Sequence, residues 1–205
     1  MTGRIEDVAE LEALYGRPGR ASLAKVADRL TPLYRRWIEA SRFCVLTTVG
    51  PDGTDGSPRG DDGPVVTELD ERTLLMPDWR GNNRMDSLRN IVADGRASLM
   101  FMVPGSPTVV RVNGTAVVSV DADLIARFED RGRRPRSVIV LTIKEIYTQC
   151  ARAVMRAELW GGVPAPDLPT PGDILSEMTE GDIDGAAYDA AWPARAAMTM
   201  WSADD

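Results

Sequence analysis

The chain has 205 residues and a mass of 22.4 kDa, and 43% of its residues are hydrophobic, which is enough for one globular domain with appendages. A net charge of −7 and a pI near 4.8 argue against nucleic acid or an anionic membrane as the main partner. Histidine is absent, which excludes a histidine general base, the common Ser/His and Cys/His nucleophile pairs and most zinc sites.

The first 42 residues have the pattern of helices. Apolar residues recur at helical spacing over 5–15 and again over 23–30. Thr31 and Pro32 then form a typical helix start, in which a capping hydroxyl precedes a first-turn proline. We therefore predict an N-terminal helical segment over residues 1–42.

Residues 43–160 have a different character, because strand patterns dominate. The predicted strands cover 43–49, 65–69, 73–76, 96–103, 108–120 and 137–149. The segment 50–64 is rich in glycine, proline and aspartate, and it predicts turns. Long strands with few helices between them favour an antiparallel barrel over a doubly wound parallel sheet.

Helices are predicted beside these strands and after them. An amphipathic pattern covers 83–93 and begins with an asparagine suited to capping. Shorter helices are predicted over 121–130 and 150–160, and Thr170-Pro171 is typical of the start of a last helix that runs to Met178. Residues 161–205 are predicted to be a linker and helical tail of the same single domain.

The stretch DWRGNNRMDSLRNI, residues 78–91, is the most informative in the chain. It places Arg80, Asn82, Asn83, Arg84 and Ser87 at the predicted entry and first turn of a helix. Free N–H groups and the positive end of the helix dipole attract anions there, and arginines add charge-assisted hydrogen bonds. A phosphate site is one interpretation of this pattern, and a capped helix with solvated arginines is the other.

A second cluster is SPRGD, residues 57–61, between two predicted strands. Arg59 could reach a phosphate or the edge of a planar ligand, and Gly60 would allow a close approach to the backbone. Proline and glycine also mark ordinary turns, which is the alternative interpretation. From its composition alone, the cluster favours the turn.

Taken together, FCVLTTVGPDG, SPRGD, LLMPDWRGNNRMDSLRNI, RASLMFMVPG and VRVNGTA resemble the pyridoxamine 5'-phosphate oxidase-like FMN-binding flavoproteins. The resemblance covers roughly residues 40–160. It implies a mainly β fold with peripheral helices, a six-stranded antiparallel split β-barrel that binds FMN. It also implies a homodimer with FMN at the subunit interface.

The resemblance also implies roles for individual residues. Arg59 and Asp61 would lie beside the cofactor, Pro77 and Asp78 would pass the flavin ring, and Asn83 and Arg84 would hold the phosphate. The full set of implied cofactor-binding residues is Arg59, Asp61, Pro77, Asp78, Arg80, Asn82, Asn83, Arg84, Ser87 and Arg111. No catalytic side chain and no metal ligand is identified.

Two departures from the family pattern limit the expected activity. The true oxidases carry a flavin-contacting glutamine where this chain has Val109, and they end in an Arg/His-rich motif that binds the phosphorylated substrate. We therefore expect an FMN-dependent oxidoreductase of this family that acts on an unidentified small molecule and is not a true pyridoxamine 5'-phosphate oxidase. The alternatives are a non-catalytic FMN carrier or sensor, and a split barrel that binds deazaflavin or haem.

The remaining features carry weaker expectations. The basic loop RGRRPR, residues 131–136, could contact nucleic acid, but it has no interleaved aromatic residues, so we expect it to be solvated. Cys150 is expected to be a structural thiol, and Trp160 and Trp201 are expected to pack, although either could cover a flavin. We expect neither a signal peptide nor a membrane helix, and hence a cytoplasmic protein.

Overall fold

In the computed structural model, residues 3–129, 132–162, 164 and 166–200 are described. The helices are α1 (Val8–Tyr15), α2 (Arg20–Ala24), α3 (Pro32–Glu39), α4 (Asp86–Ala93), α5 (Ala122–Ala126), α6 (Arg152–Arg156), α7 (Pro171–Met178) and α8 (Gly185–Thr199). The strands are β1 (Phe43–Gly50), β2 (Gly53–Gly60), β3 (Thr67–Asp70), β4 (Thr73–Asp78), β5 (Arg96–Met102), β6 (Val109–Ser119) and β7 (Ser137–Gln149).

The strands form one antiparallel sheet in the order β2-β1-β5-β6-β7-β4-β3. This confirms the mainly β fold with peripheral helices. The sheet has seven strands, however, where six were predicted, and it is not closed by pairing between β2 and β3. Its buried face carries the core, which includes Leu46, Leu99, Phe101 and Val110, each at most 1% exposed.

The additional strand is β2, in the segment predicted to be turns. Its sequence GTDGSPRG has little intrinsic preference for strands, but it pairs with β1 along its whole length, from Phe43–Gly60 to Gly50–Gly53. Because β2 lies at the edge of the sheet, Pro58 is tolerated within it. Pairing with the buried strand β1 therefore decided the conformation of β2, which could not be predicted from its composition alone.

Helix α4 packs against β1, β2 and β6 and buries Ile91. It begins at Asp86, three residues later than predicted. The residue before it is Met85, in the left-handed region at φ 59°, and no side chain caps the helix there. Asn83 also has φ 59°, so it lies in a loop before the helix and not at its cap.

The terminal segments carry the other helices. Thr31 caps α3 as predicted, and Leu30 and Ile38 are buried, but α1 buries no residue although its apolar spacing suggested a packed face. At the other end, α7 has the predicted cap, and the unpredicted α8 packs against it. In the described part of the chain, no helix is long and apolar enough to span a membrane.

Candidate functional site

A groove of about 1110 Å³ runs between β2 and the end of β4. One side is formed by residues 55–62 of β2 and the turn after it, and the other by residues 76–85 of β4 and the following loop. The first residues of α4, the start of β7 and Met200 complete the lining. Its volume lies slightly above the range of roughly 300–1,000 Å³ that is usual for small-molecule sites.

Strand register explains why polar side chains of β2 point into this groove. Arg59 pairs with Cys44 and Ser57 pairs with Leu46, and both β1 partners are fully buried. Paired residues share a face of a sheet, so alternate residues of β2 project toward the side that carries the core. With no strand beyond β2, these side chains border open space and form a polar wall.

An ion pair joins the two walls. The Arg59 Nη1 atom donates a hydrogen bond to the Asp78 Oδ1 atom at 2.6 Å, and the two side chains are only 19% and 17% exposed. The pair therefore links an edge strand to a strand near the opposite end of the sheet order. The Arg59 Nε atom is buried and has no hydrogen-bond partner among the described residues.

Asp61 lies at the end of the β2 wall and contacts the aromatic residue of the other wall. The indole N–H of Trp79 donates to its Oδ2 atom at 2.8 Å, and the backbone N–H of Asp62 donates to its Oδ1 atom at 2.8 Å. Burial raises the pKa of the Asp61 carboxyl, and the indole hydrogen bond opposes this change in part. A negatively charged Asp61 is thus less favoured here than in water.

The start of α4 lies at the groove and carries two of the predicted phosphate ligands. Ser87 is 4% exposed, and its hydroxyl donates to the Asp55 carboxylate of β2 at 2.5 Å. Arg84 is 74% exposed and donates to Asp86 at 2.9 Å. Ser87 therefore holds α4 against β2, whereas the exposed Arg84 side chain is accessible to a ligand.

Arg136 is a groove residue that the sequence interpretation missed. Its Nη1 atom donates to the Asn83 side-chain oxygen at 3.3 Å, and its backbone N–H donates to the Asp78 carbonyl at 3.3 Å. The neighbouring Arg133 pairs with Asp62 at 2.8 Å and lowers the pKa of that carboxyl. The expectation of a solvated basic loop is therefore wrong at Arg133, which is half-buried and paired, whereas Arg136 is exposed.

Strand pairing is the feature that could have identified Arg136 as a groove residue. Ser137 is opposite Asp78 in the pairing of β7 with β4, so the residue before it must lie beside the groove. Arg131, in the same loop, and Trp201 fall outside the described residues. Trp160 is 38% exposed, and its indole N–H donates to the Ser106 carbonyl at 2.8 Å. Cys150 is exposed and is not the structural thiol that was expected.

The structure brings nine of the ten predicted cofactor residues to this one groove. The lining contains Arg59, Asp61, Pro77, Asp78, Arg80, Asn82, Asn83, Arg84 and Ser87. Arg111 does not line it, because alternation along β6 places this residue on the other face of the sheet from the buried Val110 and Val112. There its guanidinium carbon lies 5.6 Å from the centre of the Tyr147 ring.

The groove has the properties that an elongated, phosphorylated aromatic cofactor requires. At one end, α4 presents an N-terminus that no side chain of the described residues caps, with Arg84 and Arg136 nearby. Farther along the β2 wall, the buried Nε atom of Arg59 has an unused donor. The residues present therefore fit a phosphorylated aromatic group such as FMN.

Sequence comparison matches residues 30–150 to the family profile of pyridoxamine 5'-phosphate oxidase. No curated protein matches at a significant level.

Similar solved structures include HupZ of group A Streptococcus, with 16% identity, a TM-score of 0.48 and coverage of 58% of this chain and 93% of that one. A candidate pyridoxamine 5'-phosphate oxidase from Lactobacillus delbrueckii has 25% identity, a TM-score of 0.48 and coverage of 59% and 95%. General stress protein 26 of Bacillus anthracis has 17% identity, a TM-score of 0.40 and coverage of 55% and 88%.

Proposed function

Since the chain belongs to the pyridoxamine 5'-phosphate oxidase family, we propose that it binds FMN in the groove between β2 and β4 and works as an FMN-dependent oxidoreductase. The observation that carries this proposal is the convergence of nine predicted cofactor residues on one groove. When bound, FMN supplies the redox chemistry, and the chain supplies binding, orientation and electrostatic tuning.

The residues of the chain divide this work between the two ends of the groove. Arg84, Arg136 and the first N–H groups of α4 hold the phosphate, and Ser87 fixes the position of α4 through Asp55. Arg59, held by Asp78, directs its buried Nε donor toward the ring. With no histidine in the chain, a reaction that requires no dedicated protein base, such as direct hydride transfer, fits best.

FMN binding is tested by comparing Arg84→Ala with Arg89→Ala. Both arginines are exposed and lie close together in sequence, but only Arg84 lines the groove, so Arg89 is the matched control. A hydrogen bond to a charged group contributes roughly 1.5–3 kcal/mol, and at an exposed site we expect the lower end, or roughly a tenfold rise in Kd. Riboflavin, which has no phosphate, should bind wild type and both variants equally.

Fluorescence titration with both flavins measures these constants. Equal FMN affinity in Arg84→Ala and Arg89→Ala would refute the phosphate site, and failure of wild type to bind FMN would refute the proposal as a whole. The visible spectrum of the purified protein separates flavin from deazaflavin or haem. Turnover of pyridoxamine 5'-phosphate to its aldehyde should be absent, because the chain has no histidine for the substrate motif of the true oxidases.

We also propose a homodimer in which Arg111 reaches the cofactor of the partner subunit. Arg111 shares a half-buried sheet face with Val45, Met100 and Tyr147, opposite the face that carries the core. A second copy on this face would cover its apolar residues and bring Arg111 to a groove that the residue cannot line in its own chain. Light scattering should therefore give the mass of a dimer.

A mixture of Arg111→Ala and Arg84→Ala subunits tests the arrangement. If Arg111 acts across the interface, each mixed dimer retains one groove with both arginines and binds one FMN tightly. If Arg111 acts within its own chain, no groove is intact and no tight binding returns. A monomer mass with FMN bound would refute the dimer.

A further inference from the structure

The C-terminal hairpin of α7 and α8 ends at the groove. Met200, the residue after the last turn of α8, lines the groove, although every other lining residue lies between 55 and 137. Its side chain is apolar and adaptable, and methionine sulfur makes favourable contacts with aromatic rings. A segment far away in sequence therefore adds an apolar side chain to a groove whose lining also includes Trp79, Met85 and Leu88.

The hairpin holds the end of α8 in a defined direction. A Cβ atom on Gly172 would lie 2.2 Å from the Gly185 carbonyl oxygen, so the two helices touch at their backbones. The Asp189 carboxylate accepts hydrogen bonds from the Thr170 hydroxyl at 2.5 Å and the Gly172 N–H at 2.9 Å. These contacts fix α8 relative to α7.

The arginines of the groove already have interactions within the chain. Arg59 binds Asp78, Arg84 binds Asp86, and Arg136 binds Asn83. Arg80, the remaining arginine of the lining, also has an interaction. With the FMN phosphate at α4, a second anion in the groove would have to displace one of these contacts.

Carboxylates in the groove also disfavour a second anion. Asp61 lines the groove near Trp79, and Asp62 lies beside it. A carboxylate or phosphate group on a substrate would approach the charged Asp62, whose pKa Arg133 lowers, while the arginines of the groove already have partners, which is unfavourable. A neutral or cationic group meets no such penalty.

From these observations we infer that the groove binds a second ligand, the substrate, which is uncharged or cationic. The substrate presents a flat apolar surface to Met200, which is therefore a specificity-determining residue. The inference rests on the proposed FMN site, since it assigns the substrate class of the same groove. A phosphorylated substrate would be disfavoured in this groove, because its phosphate would have to displace one of the existing arginine contacts.

The test compares Met200→Arg with Met198→Arg. Both methionines are exposed near the end of α8, at 52% and 75%, but only Met200 lines the groove, so Met198 is the matched control. The probes are 2-naphthol and naphthalene-2-sulfonate, which have the same ring system and differ in charge. Binding is measured by isothermal titration calorimetry on the dimer or monomer as purified, with and without added FMN.

Wild type should bind 2-naphthol at least about tenfold more tightly than the sulfonate, because the anion has no free counter-charge. Met200→Arg should reverse or abolish this preference, and Met198→Arg should keep it. Equal binding of the two probes by wild type, binding of neither probe, or identical behaviour of the two variants would overturn the inference. Failure of FMN binding with the probe preference intact would refute only the proposed cofactor.

Discussion

The ion pair between Arg59 and Asp78 should be a main contributor to the link between β2 and β4. We predict that Arg59→Leu destabilises the flavin-free protein by about 2–4 kcal/mol, because the Asp78 carboxylate is left four-fifths buried without its partner. This is below the roughly 3–5 kcal/mol typical of a fully buried broken pair, since both side chains retain some contact with water. Asp78→Leu should cost a similar amount for the same reason.

The double variant separates the ion pair from the packing of each residue. With both charges replaced, no buried charge is left unpaired, so Arg59→Leu/Asp78→Leu should be less destabilised than the two single variants added together, with a coupling of roughly 1–3 kcal/mol. Urea unfolding followed by circular dichroism, at one protein concentration for all variants, measures these differences. Strict additivity would show that the two walls are held together by other contacts.

Three further predictions concern the rest of the domain. Gly114→Ala should destabilise the protein by roughly 1–3 kcal/mol in the same unfolding assay, because its Cβ would lie 2.0 Å from a β7 carbonyl oxygen. The hydrogen bond from Arg35 lowers the pKa of Glu68, so the pair stabilises the protein at neutral pH, and this stabilisation is lost as the pH falls through the lowered pKa. The melting temperature of Glu68→Gln should therefore lie below that of wild type near pH 7, and the difference should shrink as the pH is lowered through that pKa. Burial raises the pKa of Cys44 to about 12, so a thiol reagent at pH 8 should modify Cys150 alone, and reaction of both thiols in the folded protein would contradict this.

Much of the secondary structure could be predicted from local patterns. β7 was predicted with the bounds that it has, and Thr170-Pro171 identified the start of α7, because alternation and capping are properties of neighbouring residues. α8 was not predicted, since it begins with a glycine, Gly185, and contains Pro193 in a segment with no clear apolar face. Its helix is stabilised by backbone contact with α7, which no local pattern reveals.

For the site, the sequence by itself determined which residues are suited to bind an anion and an aromatic cofactor. DWRGNNRMDSLRNI and SPRGD supplied eight of the nine predicted groove residues, all except Pro77, because arginines, amides and a helix start have anion affinity wherever they lie. Only the tertiary structure decided that the two segments face each other. The link between them is an ion pair across strands that are far apart in the sheet order.

The tertiary structure also decided what each arginine does. It moved the start of α4 to Asp86, which left Arg84 exposed before the helix, and it brought Arg136 and Met200 to the groove from segments with no recognisable motif. It placed Arg111 on the opposite face of the sheet, because side chains alternate along a strand. The sequence determines the chemistry that each residue has to offer, whereas strand pairing and helix packing determine which of these residues meet, since those contacts join positions that are distant along the chain.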